Sequence, residues 1–154
     1  MTATTIAPPA RDGVLRTVGR VWLGLTLAFA GTTHLTVARQ EFLAQVPAWV
    51  PVDHDLVVLA SGAVEIALGI ALVGAPRRWR PWVGAVVALF FVAIFPGNVA
   101  QYVEGVDGFG LDTDAKRLAR LPFQAVLVLW ALWSCGTWRA YRAHRAATQT
   151  ADAR

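Results

Sequence analysis

The side chains best equipped for chemistry lie inside apolar runs. The stretch LVVLASGAVEIALGIALV, Leu56 to Val73, holds one ionisable group, Glu65. His34, Asn98, Gln101, Arg120 and Gln124 sit within or at the edge of the other apolar runs. A carboxylate, an imidazole, a guanidinium and three amides can orient a polar ligand or hold a charge. These six are the ligand-pocket candidates. No catalytic residue is assigned, because no Walker loop, nucleophile elbow or HExxH sequence occurs.

Other chemistries are excluded by residue type. Cys135 is the single cysteine, which rules out a self-contained thiol oxidoreductase with a paired-cysteine centre. His34, His54 and His144 are the only histidines, too few for a bundle binding two haems through histidine pairs. No haem, disulfide centre or metal is therefore expected.

Four apolar windows must position these residues: Val21 to Ala38, Leu56 to Ala75, Pro81 to Val103 and Leu121 to Trp138. Each has roughly the 20 residues that a helix needs to cross a bilayer. In 154 residues, 56% of them apolar, this predicts an all-α fold: one integral membrane four-helix bundle. The net charge of +4 does not point to nucleic acid, because the arginines separate by side rather than gathering on one surface. Arg11, Arg16 and Arg20, then Arg77, Arg78 and Arg80, then Arg139, Arg142, Arg145 and Arg154 mark three segments as cytoplasmic, with both termini among them. The loops holding Glu41, Asp53, Asp55, Glu104, Asp107, Asp112 and Asp114 are expected outside. An alternative reads RTVGR, the first apolar run and AFA at Ala28 to Ala30 as a cleaved signal peptide, leaving three spans in the same orientation.

The domain limits follow: a disordered cytoplasmic arm over 1–13, the membrane domain over 14–142 and a disordered basic tail over 143–154. The first outer loop, QEFLAQVPAWVPVDHD, suits a segment lying in the interface. In the second, EGVDGFGLDTDAKR, Asp112 or Thr113 is placed to cap a helix. Trp22, Trp79, Trp82 and Trp138 are expected at the cytoplasmic interface, and Trp49 and Tyr102 at the outer one. Trp130 and Trp133 are assigned to packing.

Counted from the outer surface, all the strongly polar intramembrane residues fall in the outer half, Glu65 being deepest at roughly 15 Å. An acidic residue at a helix centre costs about 2.5 to 3.5 kcal/mol, which the ten Leu, Ile and Val residues of its span offset. Ser61, Glu65 and Gly69, with Gly62 adjacent, form a small-residue row that directs Glu65 into the bundle, and Gly24, Ala28, Gly31 and His34 form a second such face. Pro96 removes a donor from the third span, so a kink or widened turn is expected there, eased by Gly97 and Asn98. Arg120, one turn above Gln124, is assigned to Glu65 as its counter-charge. The whole set reads either as a site or as a network that only fixes packing.

FAGTTHL, QVPAWVP, SGAVEIALGIAL, FPGNV and RLPFQAVLVLWALW, in that order from about Arg16 to Trp138, resemble the DoxX-like family of small four-helix bacterial membrane proteins. Leu35, where an aromatic residue is expected after the histidine, departs from the pattern. The resemblance implies a multi-pass protein of the bacterial cytoplasmic membrane. It also makes membrane or peripheral redox proteins candidate partners beside the lipid bilayer, and quinone a candidate cofactor. The expected function is thus a quinone- or small-molecule-binding subunit of a membrane redox assembly, with Glu65 and Arg120 at the polar end of a pocket and His34, Asn98 and Gln124 orienting the ligand. The alternative is a non-catalytic scaffold or assembly factor, and transport of a small solute is third. Neither the partner nor the oligomeric state is specified by the residues.

Overall fold

The computed structural model describes residues 13–152, with side chains as far as residue 150. Six helices follow in order: α1 Val14–Leu35, α2 Arg39–Leu43, α3 His54–Gly74, α4 Arg80–Val103, α5 Asp114–Ser134 and α6 Thr137–Asp152. No strand occurs among the described residues. The chain is all-α. Helices α1, α3 and α4 are each long and apolar enough to cross a membrane, and α5 with α6 passes the same test only as a pair bent by 59°.

The long helices pack as two antiparallel pairs, α1 with α3 and α4 with α5. In the first pair, a seven-residue glycine repeat on each helix removes the side chains that would hold the axes apart. A methyl group on Gly31 would lie 2.5 Å from the Gly62 carbonyl, and one on Gly69 would lie 2.6 Å from that of Gly24. In the second pair, Gly84 packs directly against Cys135 and Ala131. Leu23, Leu27, Leu72, Val87, Phe91 and Ala131 fill the space between the pairs.

At the end of the bundle where α6 lies, Arg20 is buried and donates to the carbonyls of Leu72 and Val73, the latter at 3.1 Å. It supplies donors to the last turn of α3, whose carbonyls have no helical partner. The guanidinium thus serves a neighbouring helix. From sequence it was only a flanking charge.

Two expectations need correction. The fourth apolar window does not run straight to Trp138: α5 ends at Ser134, Gly136 adopts a left-handed backbone with φ of 70°, and α6 leaves in a new direction. The Thr137 hydroxyl fixes this bend by donating to the Pro81 carbonyl at 2.9 Å. The tail expected to be disordered from 143 is helical through Asp152, which its content of alanine and arginine explains. Through Pro96, where a kink or widened turn is expected, α4 is helical from Arg80 to Val103. The arm expected over 1–13 lies, but for Gly13, outside the described residues.

Candidate functional site

The other end of the bundle is covered by its connections. Asp53 caps α3 by accepting from the Leu56 amide at 2.9 Å, and Thr113, one of the two residues proposed as a cap, accepts from Lys116 N at 3.4 Å at the start of α5. Lys116 also holds Asp112 at 2.6 Å, and that hydrogen bond keeps the Asp112 carboxyl below its ordinary range. Arg39 pairs with Asp55, tying α2 to α3. Arg117 is buried and reaches Asp107 at 3.2 Å and the Leu111 carbonyl at 3.1 Å, which folds the α4–α5 loop back onto α5.

Beneath this cover lies a chamber of about 530 Å³, walled by α1, α3, α4, α5 and the segment after α2. Its walls are mostly apolar, with Leu27, Val58, Phe91, Ile94 and Leu127 among them. Its polar end carries five of the six residues singled out from sequence: His34, Glu65, Asn98, Arg120 and Gln124. Gln101 does not line it. Gln101 is buried behind Arg120 and accepts from it at 3.1 Å.

Glu65 and Arg120 do not form an ion pair, contrary to the assignment made from sequence. The Glu65 carboxylate faces His34, with Oε2 at 3.1 Å from Nδ1. The same Nδ1 lies 2.9 Å from the Ala30 carbonyl one turn back, and since both neighbours are acceptors, Nδ1 carries a proton. That proton is aimed at the Ala30 carbonyl, so Glu65 Oε2 is buried without an aligned hydrogen bond. Arg120 is held on the far side, donating to the Oε1 atoms of Gln101 and Gln45 at 3.1 Å each.

Two phenylalanines separate the charged groups. The His34 ring stacks on Phe42 with centroids 3.2 Å apart and planes 17° apart, and Phe42 meets Phe109 edge-on at 4.5 Å. Arg120 lies over the Phe109 ring at 5.6 Å. Carboxylate, imidazole, two phenyl rings and guanidinium thus form one chain of contacts under the cover. The Phe42–Phe109 and Arg120–Phe109 contacts are of an ordinary favourable kind. Glu41 anchors the arrangement by accepting from the Phe109 amide at 2.5 Å.

Asn98 and Gln124 have a different place. Asn98 donates to Gln124 Oε1 at 3.1 Å, and Gln124 Nε2 donates to the Phe91 carbonyl at 2.6 Å, one residue before the carbonyl that Pro96 leaves without its helical partner. This network joins α4 to α5 where the proline weakens the backbone ladder. Its hydrogen bonds are spent within the protein.

The side of the chamber between α1 and α5 is open. The two helices meet near the α6 end, where Trp130 Nε1 donates to the Gly19 carbonyl at 3.1 Å and Trp133 packs on Gly19. Toward the α2 end, exposed Trp22, Thr26 and Phe123 belong to the chamber lining, so the cavity reaches the lateral surface of the bundle there. Packing of Trp130 and Trp133 was anticipated, although Trp130 also lines the chamber.

Sequence reasoning missed Gln45, Phe42 and Phe109. Gln45 and Phe109 lie in loops and Phe42 in the five-residue α2, too short for a helical periodicity that would aim it inward. One signal was available: QVPAWV combines apolar residues with Pro47, which is buried, and the Gln45 carbonyl seats against Gly97. The segment expected to lie in an interface also roofs the chamber. Among the described residues no three His, Cys, Asp or Glu side chains converge as metal ligands would.

Compared with known proteins, residues 23–135 match the family described as Domain of unknown function (DUF8561). No curated protein and no solved structure matches the chain.

Proposed function

The chain belongs to the DUF8561 family, and on that premise we propose that it is an integral membrane protein of DoxX-like type whose chamber binds a small amphipathic molecule of the quinone or quinol class. The observation that carries this reading is the chamber itself: about 530 Å³, apolar along its length and polar at one end. Sites for small molecules have this size and this division of labour. Glu65 offers an acceptor with no aligned donor from the protein, while Arg120 offers donors. A hydroquinone head group can donate from one hydroxyl to Glu65 and accept at its other oxygen from the Arg120 side. Its apolar chain suits the lateral opening at Trp22, Thr26 and Phe123, which in a bilayer faces hydrocarbon.

In this reading both termini are cytoplasmic and the α2 end faces outward, as the arginine distribution favours. On this proposal electrons pass to or from a partner subunit. Purification from native membranes in mild detergent tests the proposal by identifying what accompanies the protein. A stoichiometric quinone or quinol supports it, and recovery of the protein with bulk phospholipid alone contradicts it.

A second reading, a non-catalytic scaffold or assembly factor, is favoured by one observation. The Asn98, Gln124 and Phe91 network is satisfied internally, as a purely structural network should be. The two readings divide at Glu65 rather than at Asn98.

A further inference from the structure

Helix α6 lies outside the chamber, and its composition differs from that of the other helices. Trp138, Tyr141, Arg142 and Arg145 fall at the i, i+3, i+4 and i+7 positions of one face. All four are exposed. Trp138 and Tyr141 stack with centroids 5.7 Å apart, Arg142 lies over the Trp138 ring at 6.0 Å, and Arg145 lies over the Tyr141 ring at 5.9 Å. An arginine held over a ring in this way still has N–H donors to offer, and the planar fork of its guanidinium matches a phosphate. Neither Arg142 nor Arg145 has an acidic partner among the described residues.

The direction of α6 is built in rather than incidental. Gly136 in its left-handed conformation and the Thr137 bond to the Pro81 carbonyl turn the helix by 59° away from α5 and across the start of α4. This brings it to the end of the bundle where exposed Arg77 and Arg78 form the α3–α4 turn, beside exposed Trp79 and Trp82. That end therefore presents guanidinium groups interleaved with indole and phenol rings. Rings of this kind prefer the headgroup level of a bilayer, and basic residues beside them attract anionic lipid.

We infer that α6 is an anionic-phospholipid clamp, its Arg142 and Arg145 gripping the lipid phosphate while Trp138 and Tyr141 lie among the glycerol groups. The inference rests on the reading that the bundle is membrane-embedded, but not on what occupies the chamber. The full-length protein in mild detergent, given equal mole fractions of phosphatidylglycerol and phosphatidylcholine, should retain phosphatidylglycerol selectively by native mass spectrometry. Each arginine contributes about fivefold to that preference, so Arg142→Gln with Arg145→Gln should lower it about 25-fold, whereas Arg142→Lys with Arg145→Lys, which keeps the charge but loses the paired donors, should lower it by less. Because α6 projects from the bundle, thermal unfolding of both double variants should match the wild type. Equal retention of the two lipids by the wild type, or an undiminished preference in the glutamine variant, overturns the inference. Recovery of the chain in the soluble fraction would instead remove the membrane reading beneath it.

Discussion

Glu65 and Arg120 face the same chamber without touching: the carboxylate sits 3.1 Å from His34 Nδ1, and the guanidinium is held by Gln45 and Gln101. Their separation leaves both groups available to a molecule placed between them. It also makes a definite energetic statement, since groups in contact couple and groups apart do not. A double-mutant cycle of His34→Ala with Glu65→Gln, read by chemical unfolding in detergent, should give a coupling of about 0.5 to 3 kcal/mol. The cycle of Arg120→Ala with Glu65→Gln should be additive within about 0.5 kcal/mol. Strong coupling in the second cycle would mean that the carboxylate and guanidinium meet after all.

The seam between α1 and α3 should tolerate no added methyl group. Gly31→Ala drives its Cβ to 2.5 Å from the Gly62 carbonyl, a backbone atom that moves only if the whole helix moves. A loss of about 1 to 3 kcal/mol is expected, seen as a lowered midpoint of unfolding. Gly74→Ala is the control, because a Cβ there meets nothing within 4 Å. Equal midpoints for the two variants would show that the helices are not in close contact.

Gln124→Leu separates structure from site. It leaves the Asn98 amide and the Phe91 carbonyl without their partner, both in buried surroundings, at a cost of about 1 to 3 kcal/mol. Asn98→Leu combined with Gln124→Leu removes two of the three polar groups together and should be less damaging than the sum of the single changes. A stable Gln124→Leu protein that fails only in ligand binding would move this residue from the network to the site.

Topology can be read by cysteine labelling in intact cells. Asp53→Cys and Asp107→Cys lie exposed at the α2 end, and Arg78→Cys lies exposed at the α6 end. An impermeant maleimide should modify the first two and spare the third. The reverse pattern would invert the orientation and turn the chamber toward the cytoplasm.

How much of this was legible follows from where each residue sits. Glu65 on a row of small residues had to point inward, and the glycines at 24, 31, 62 and 69 announced a close helix pair, because helical periodicity fixes the direction of a side chain. Periodicity does not fix which neighbour fills the space. Glu65 was therefore given the nearest opposite charge in sequence logic, while Phe42, on the five-residue α2, and Phe109, on a loop, separate the pair without any helical period to announce them. Arg20 was misjudged for a related reason: a charge at a helix end looks like a flank unless the carbonyls it serves on another helix are known. The α6 helix was legible in principle. Its alanine and arginine content and the spacing of Trp138, Tyr141, Arg142 and Arg145 were visible, but the polar composition was read as disorder.

The central claim, that the chamber holds an amphipathic ligand, is tested most directly by titrating a benzoquinone bearing a ten-carbon chain into the purified protein and following tryptophan fluorescence. Trp22, Trp49 and Trp130 line the chamber, so a bound quinone lies beside them. The account predicts saturable quenching that weakens at least tenfold, about 1.4 kcal/mol, in Arg120→Met, which removes the donor to a quinone carbonyl, and in Ala30→Phe, which fills the chamber, while both variants remain folded. Quenching that rises linearly with quinone and is identical in all three proteins would contradict it.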